Sequence, residues 1–182
     1  MTSKMTDINV FFIRHGESLA NAGNATSDPA TIRLTERGFA QATQIAERFE
    51  RAPTLIVTSA YLRTQQTAQP TIERFPQTEQ AQWPVQEFTY LSPQRCVSMT
   101  AAQRRPFVEE YWERCDINFV DGPGAESFAS LVQRAKGTLE HLQRWQKNHD
   151  IAIFTAVASC LLVACCSNET RGTQKGVEDA FT

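Results

Sequence analysis

The sequence predicts an α/β fold, a three-layer sandwich with a mostly parallel sheet and helices on both faces. Three observations lead there. Short, nearly continuous apolar runs at Ile8 to Ile13, Leu55 to Thr58 and Ile151 to Thr155 have the length of buried strands. Between the first two, Phe39, Ala42, Ile45, Ala46 and Phe49 recur at helical spacing. Before the third, Phe128, Leu131, Ala135, Leu139 and Leu142 mark one face of a long helix. Strands that alternate with helices of this length fit parallel pairing through crossover connections.

A chain of 182 residues suits one domain with a sizeable core. Apolar and charged fractions of 41% and 21% are those of an ordinary globular protein. A net charge of −2 argues against a general nucleic-acid binder, which concentrates Lys and Arg on one face. The polar start, Met1 to Asp7, lacks the apolar core of a secretory signal, so the cytoplasm is the expected compartment. Five cysteines without paired C-x-x-C spacing suggest neither a disulfide framework nor a zinc site. Ile151 to Cys166, interrupted by Thr155 and Ser159, falls short of the roughly 20 residues needed to span a bilayer.

Element by element, Ile8 to Ile13 reads as a first strand covered on both faces, and Thr35 is placed to cap the helix that begins at Glu36. Leu55 to Thr58 is the second strand. A helical stretch follows from Tyr61, and Pro70 should end or kink it. Trp83 to Phe88 is the candidate third strand, and Ala101 to Arg114 a helix with Pro106 in its first turn. A loop at Asp121 to Gly124 precedes the long helix, which is expected to end near Asn148 before the strand Ile151 to Thr155.

Ligands of open α/β sheets bind beyond the carboxyl ends of the strands. There the first strand runs into Arg14-His15-Gly16, and the second into Thr58-Ser59 with Arg63 at the start of the next helix. Two guanidinium forks and the free N–H groups of a helix start match the oxygens of a phosphoryl group. A neutral imidazole beside them is a nucleophile for phosphorus, and Gly16 permits a close approach of the backbone. Taken singly, His15 and Arg63 each have an ordinary structural reading, as a hydrogen-bonded histidine and a solvated arginine. The case for chemistry rests on the two sites together.

These residues resemble the histidine phosphatase superfamily, the phosphoglycerate mutase-like family. Arg14-His15-Gly16-Glu17-Ser18 with Asn21 is similar to its R-H-G-x-S-x-x-N signature, and Leu34 to Ala42 to its L-T-x-x-G-x-x-Q-A segment. Ser59 to Ala68 is similar to its S-x-x-x-R-x-x-Q-T-A segment, and Gly124-Ala125-Glu126-Ser127 to a G-E-S helix start with one residue inserted. The resemblance implies a phosphohistidine on His15, Arg14 and Arg63 in the phosphate pocket, Asn21 as a further phosphate contact, and no metal or other cofactor. It also implies a Glu that protonates the leaving oxygen. Glu87 stands about where that residue belongs, with Glu79 the lesser candidate, and such a group needs a partly desolvated pocket. Arg33, Arg95, Arg104 and Arg105 are further cations near the substrate loops, with solvated surface their default.

One departure is prominent. The resemblance implies a second histidine, usually His-Gly, directly after the strand Ile151 to Thr155, and here the chain reads Ala156-Val157. His149 precedes that strand, and His141 belongs to the polar side of the long helix. The composition also changes at this point. Residues 1–155 are therefore read as the domain and 156–182 as an atypical tail, as an altered reading frame or carboxyl terminus would produce; a His-Gly codon pair recovered near position 156 in another frame of the encoding DNA would support that origin. The expected function is phosphomonoester hydrolysis on a small phosphorylated metabolite, weakened by the missing histidine. The alternatives are an impaired member that binds phosphorylated ligands or acts as a scaffold, and a mutase.

Overall fold

A computed structural model describes residues 8–145 and 149–156. Its elements run β1 (Asn9–Arg14), α1 (Glu36–Arg48), β2 (Leu55–Thr58), α2 (Leu62–Arg74), β3 (Glu79–Gln82), α3 (Ala101–Glu113), α4 (Phe128–Gln143) and β4 (Asp150–Thr155). The four strands form one all-parallel sheet in the order β1-β4-β2-β3. The tail expected at 156–182 lies outside the described residues from 157 onward. No helix among the described residues is long and apolar enough to cross a membrane.

The sheet is the middle layer. Alternation along β2 and β4 turns Leu55, Val57, Ile151 and Ile153 to one face, against Leu142 of α4. Ile56, Ala152 and Phe154 turn to the other, against Ile45 of α1 and Ala68 of α2. All six residues of β4 are buried, as a central parallel strand requires. A smaller cluster of Phe88, Tyr111 and Leu131 joins α3 and the start of α4 to the segment that follows β3.

Local chemistry explains the helix starts. The Thr35 hydroxyl accepts from the Gly38 N–H and caps α1. Thr100 and Gln103 form a reciprocal capping box on α3, and Ser127 caps α4 through the Ser130 N–H.

Several expectations need correction. β1 lies at the sheet edge and is only partly covered: Val10 and Phe12 pack against the core on one face and Ile13 on the other, but Phe11 is 44% exposed. Phe11 still meets Phe49 edge-on. The third strand is the polar Glu79–Gln82, a strand at the opposite edge paired with β2, and not Trp83 to Phe88. Pro84 lacks an N–H for a ladder, and the apolar side chains of that segment, Val85 and Phe88, are buried across the end of the sheet. α2 continues through Pro70 to Arg74, and Pro106 lies beyond the first turn of α3. α4 stops at Gln143, five residues before the expected end at Asn148.

One close approach joins the loop after β1 to α1. A Cβ built on Gly38 would lie 2.1 Å from the Glu17 carbonyl oxygen, and one on Gly16 would lie 2.5 Å from the Gly38 oxygen. Gly137 in α4 has nothing within 4 Å of its built Cβ. Gly38→Ala is therefore expected to destabilise by about 1–3 kcal/mol through overpacking against rigid backbone, although alanine favours a helix interior. Gly137→Ala should stabilise by roughly 0.5–1 kcal/mol. Urea unfolding midpoints of the two variants check these opposite signs.

Candidate active site

The carboxyl ends of β1, β4 and β2 meet in register, with Arg14 opposite Thr155 and Thr58 opposite Phe154. The His15 N–H extends the ladder by one bond to the Thr155 carbonyl, 3.0 Å away. That bond brings His15 to the mouth of the sheet, where it is buried at 6% exposure.

The imidazole is held from both sides. Nδ1 is 2.8 Å from the Gly16 carbonyl oxygen, which has no proton to give, so Nδ1 donates and Nε2 keeps its lone pair. Arg63 Nε donates to that Nε2 at 3.1 Å. Burial lowers the His15 pKa from 6.5 to about 4, helped by the Arg63 and Arg14 charges and opposed by the Gly16 hydrogen bond. The ring is therefore neutral near pH 7, with a nucleophilic nitrogen directed at a guanidinium.

Arg63, also buried at 6% exposure, stacks over Tyr61 and donates through Nη1 to the Pro29 carbonyl at 2.6 Å. Burial lowers its pKa, opposed by the charges of Glu87 and Tyr61. Glu87 is half-buried in the segment after β3, with Oε1 accepting from the Phe88 N–H at 3.0 Å. Arg14 is exposed at the end of β1, and among the described residues its side chain has no hydrogen bond.

Other candidates are placed differently. Asn21 is exposed, and its Oδ1 accepts from the Ser18 N–H and hydroxyl. Glu79 begins β3, at the end of the sheet opposite the mouth. Arg95 pairs with Asp121 and Glu110, Arg104 with Met99 and Thr26, and Arg105 with Glu109, while Arg33 is exposed. The start of α2 offers fewer free donors than expected, because the Leu62 N–H donates to Ala30 and the Tyr61 N–H to Ser59 Oγ. His141 is exposed on α4 against Trp83, and His149 stands before β4, so neither reaches His15. Ala156 lies one residue past β4, 1% exposed, beside His15. Among the described residues no group of three or more His, Cys, Asp or Glu side chains is gathered to hold a metal ion.

Polar residues that sequence reasoning left without a role build the frame. Thr67 Oγ1 accepts from the Gly16 N–H and donates to the Arg63 carbonyl. Gln41 Oε1 accepts from the Glu17 N–H, and Gln66 Oε1 from the Leu34 N–H. Glu17 accepts from the Thr35 hydroxyl and pairs with Arg37. Thr67, Gln41 and Gln66 are each a polar position of a quoted motif, and their only sequence signal is a polar side chain within a helix.

Because His15 is less basic folded than unfolded, the folded chain binds fewer protons between pH 6.5 and about 4. Its contribution to stability is complete above 6.5 and is lost as the pH falls toward 4, with a total on the order of 3 kcal/mol. His15→Gln should flatten the fall in stability across that window relative to the parent, as read from urea midpoints at stepped pH.

The sequence and the fold have counterparts among known proteins. Residues 10–171 match the family model described as histidine phosphatase superfamily (branch 1), past the point where the composition changes. A Yersinia pestis protein named "Probable phosphoglycerate mutase GpmB" is 29% identical over 142 residues, 73% of this chain and 62% of the relative. The chain thus spans less than two thirds of the length of the curated relatives it matches. An alpha-ribazole phosphatase from Shigella flexneri shares the fold with a TM-score of 0.66 at 24% identity, over 86% of this chain and 78% of that one. A mycobacterial glucosyl-3-phosphoglycerate phosphatase complexed with VO3 does so with a TM-score of 0.69 at 22% identity, over 88% and 80%. The chain belongs to branch 1 of the histidine phosphatase superfamily.

Proposed function

We propose that the chain hydrolyses phosphomonoesters of small metabolites through a phosphohistidine on His15. The observation that carries this reading is the imidazole geometry, with Nδ1–H fixed on the Gly16 carbonyl and the Nε2 lone pair directed at Arg63. In the first step Nε2 attacks phosphorus, the bond from phosphorus to the ester oxygen breaks, and a protonated Glu87 gives its proton to the departing oxygen. The Gly16 carbonyl stabilises the positive ring that results. Arg63 exchanges its Nε2 contact for phosphoryl oxygens, and Arg14 adds a second guanidinium. In the second step water attacks phosphorus, the phosphorus–nitrogen bond breaks, and Glu87 takes the proton of the water. Inorganic phosphate and an alcohol leave.

Ala156 favours an attenuated version of this activity. It occupies the place where the family resemblance implies a second histidine, and loss of one charged donor at a phosphoryl site costs about 10² to 10³ in rate. A phosphatase and a mutase differ in whether the phosphoryl group leaves as inorganic phosphate or returns to the organic substrate. Names of both kinds occur among the relatives and neighbours.

Two measurements test the reading. Turnover of p-nitrophenyl phosphate near pH 6 should exceed that of His15→Ala clearly, and Arg63→Ala should lose about 10²-fold or more. Equal turnover by the parent and His15→Ala sinks the enzyme reading, and absence of a thermal shift with phosphate or vanadate removes the binding alternative as well. Ala156→His is expected to raise turnover by about 10-fold or more. No gain, in a variant that keeps the parental melting temperature, would remove the attenuation argument.

A further inference from the structure

We propose that Arg134 and Glu126 form a clamp that positions Glu87 for proton transfer, which makes Arg134 a positioning residue. The inference rests on the reading of Glu87 as the acid. It starts from a structural difficulty: Glu87 lies on a segment with no regular secondary structure, between the end of β3 and α3. No strand ladder fixes its backbone, so side chains from elsewhere must do so.

Arg134 supplies two of those contacts, and the Thr155 hydroxyl, which donates to the Val85 carbonyl, supplies another. From α4 the Arg134 Nε and Nη2 hold the Glu126 carboxylate in a two-pronged pair at 2.9 and 2.6 Å, with both side chains largely buried. Its Nη1 donates to the carbonyls of Pro84, at 2.7 Å, and Gln86, at 3.3 Å. Glu126 completes the grip from the other side of Glu87. Its Oε1 accepts from the Thr89 N–H at 3.3 Å, and its own N–H donates to the Thr89 carbonyl at 2.9 Å. The backbone is thus held at 84, 86 and 89, on both sides of Glu87. Between these points Phe88 is anchored in the cluster with Tyr111 and Leu131.

Helix initiation does not account for Glu126, because its neighbour Ser127 does the capping. Nor does Lys replace Arg here: the site uses a planar fork toward the carboxylate and a further N–H toward two carbonyls, which a single ammonium does not match.

The test uses leaving groups. A misplaced acid harms esters whose alcohol needs a proton to depart and spares p-nitrophenolate, which leaves without one. In single-turnover rates of phosphoryl transfer to His15, Arg134→Lys and Arg134→Ala should stay within about 3-fold on p-nitrophenyl phosphate and fall about 10- to 100-fold on glycerol phosphate. Glu87→Gln should lower turnover of both substrates through the second step but show the same leaving-group dependence in the rate of phosphoryl transfer to His15, and in that rate Glu87→Gln with Arg134→Ala should be no worse than Glu87→Gln alone. Equal losses on both substrates, or losses that add to those of Glu87→Gln, overturn the clamp. His15→Ala at parental turnover would overturn the phosphohistidine reading instead, and Glu87→Gln without leaving-group dependence the acid assignment on which the clamp rests. If the parent shows no turnover, amide exchange decides: Arg134→Ala must accelerate exchange at Phe88 and Thr89 while β4 keeps its protection, and unchanged exchange at both overturns the clamp.

Discussion

The hydrogen bond from His15 Nδ1 to the Gly16 carbonyl determines how the rest of the site works. It selects the tautomer that leaves the Nε2 lone pair free, and in a buried ring that choice persists without a competing water. The bond holds only if the Gly16 peptide is fixed. Thr67 holds its N–H, Gly38 packs against it with no space for a Cβ, and the ladder bond from His15 to Thr155 anchors the residue before it. Three separate stretches of chain therefore converge on one peptide unit, from α2, α1 and β4.

Electrostatics follows from that placement. Removing His15 and Arg63 from water disfavours the charged forms of both, and their proximity reinforces this for the imidazole. The outcome is a neutral base beside a guanidinium, which suits attack on an anionic phosphoryl group better than two competing cations would. Arg14 contributes differently. It is exposed at the end of an edge strand and remains available to a ligand, whereas Arg63 is already engaged by His15, Pro29 and Tyr61.

The two kinds of motif position had unequal visibility in the sequence. His15, Arg14 and Arg63 stand out because charged residues at strand and helix ends invite a chemical reading. Thr35 was legible as a cap because capping depends on local spacing. Gln41, Gln66 and Thr67 were not assigned roles, because their partners are backbone groups at Glu17, Leu34 and Gly16, contacts that exist only after the helices dock. Arg134 shows the same limit. Within α4 it reads as a surface arginine, and only the approach of the segment after β3 gives its N–H groups their carbonyl partners.

By itself, the sequence determined the alternation of strands and helices, the Thr35 cap, and the placement of Arg14-His15 and Arg63 at strand and helix ends, since all of these follow from local periodicity and chain geometry. Tertiary structure decided which strands lie at the edges, which apolar run is a strand and which a buried crossing segment, and how far each helix extends. The third strand formed at the polar Glu79–Gln82 and not at the apolar Trp83 to Phe88, because pairing with β2 is settled by backbone register and Pro84 has no N–H to contribute, whereas hydrophobicity reports only burial. It also decided the state of His15, because a tautomer and a lowered pKa depend on distances between residues far apart in the chain.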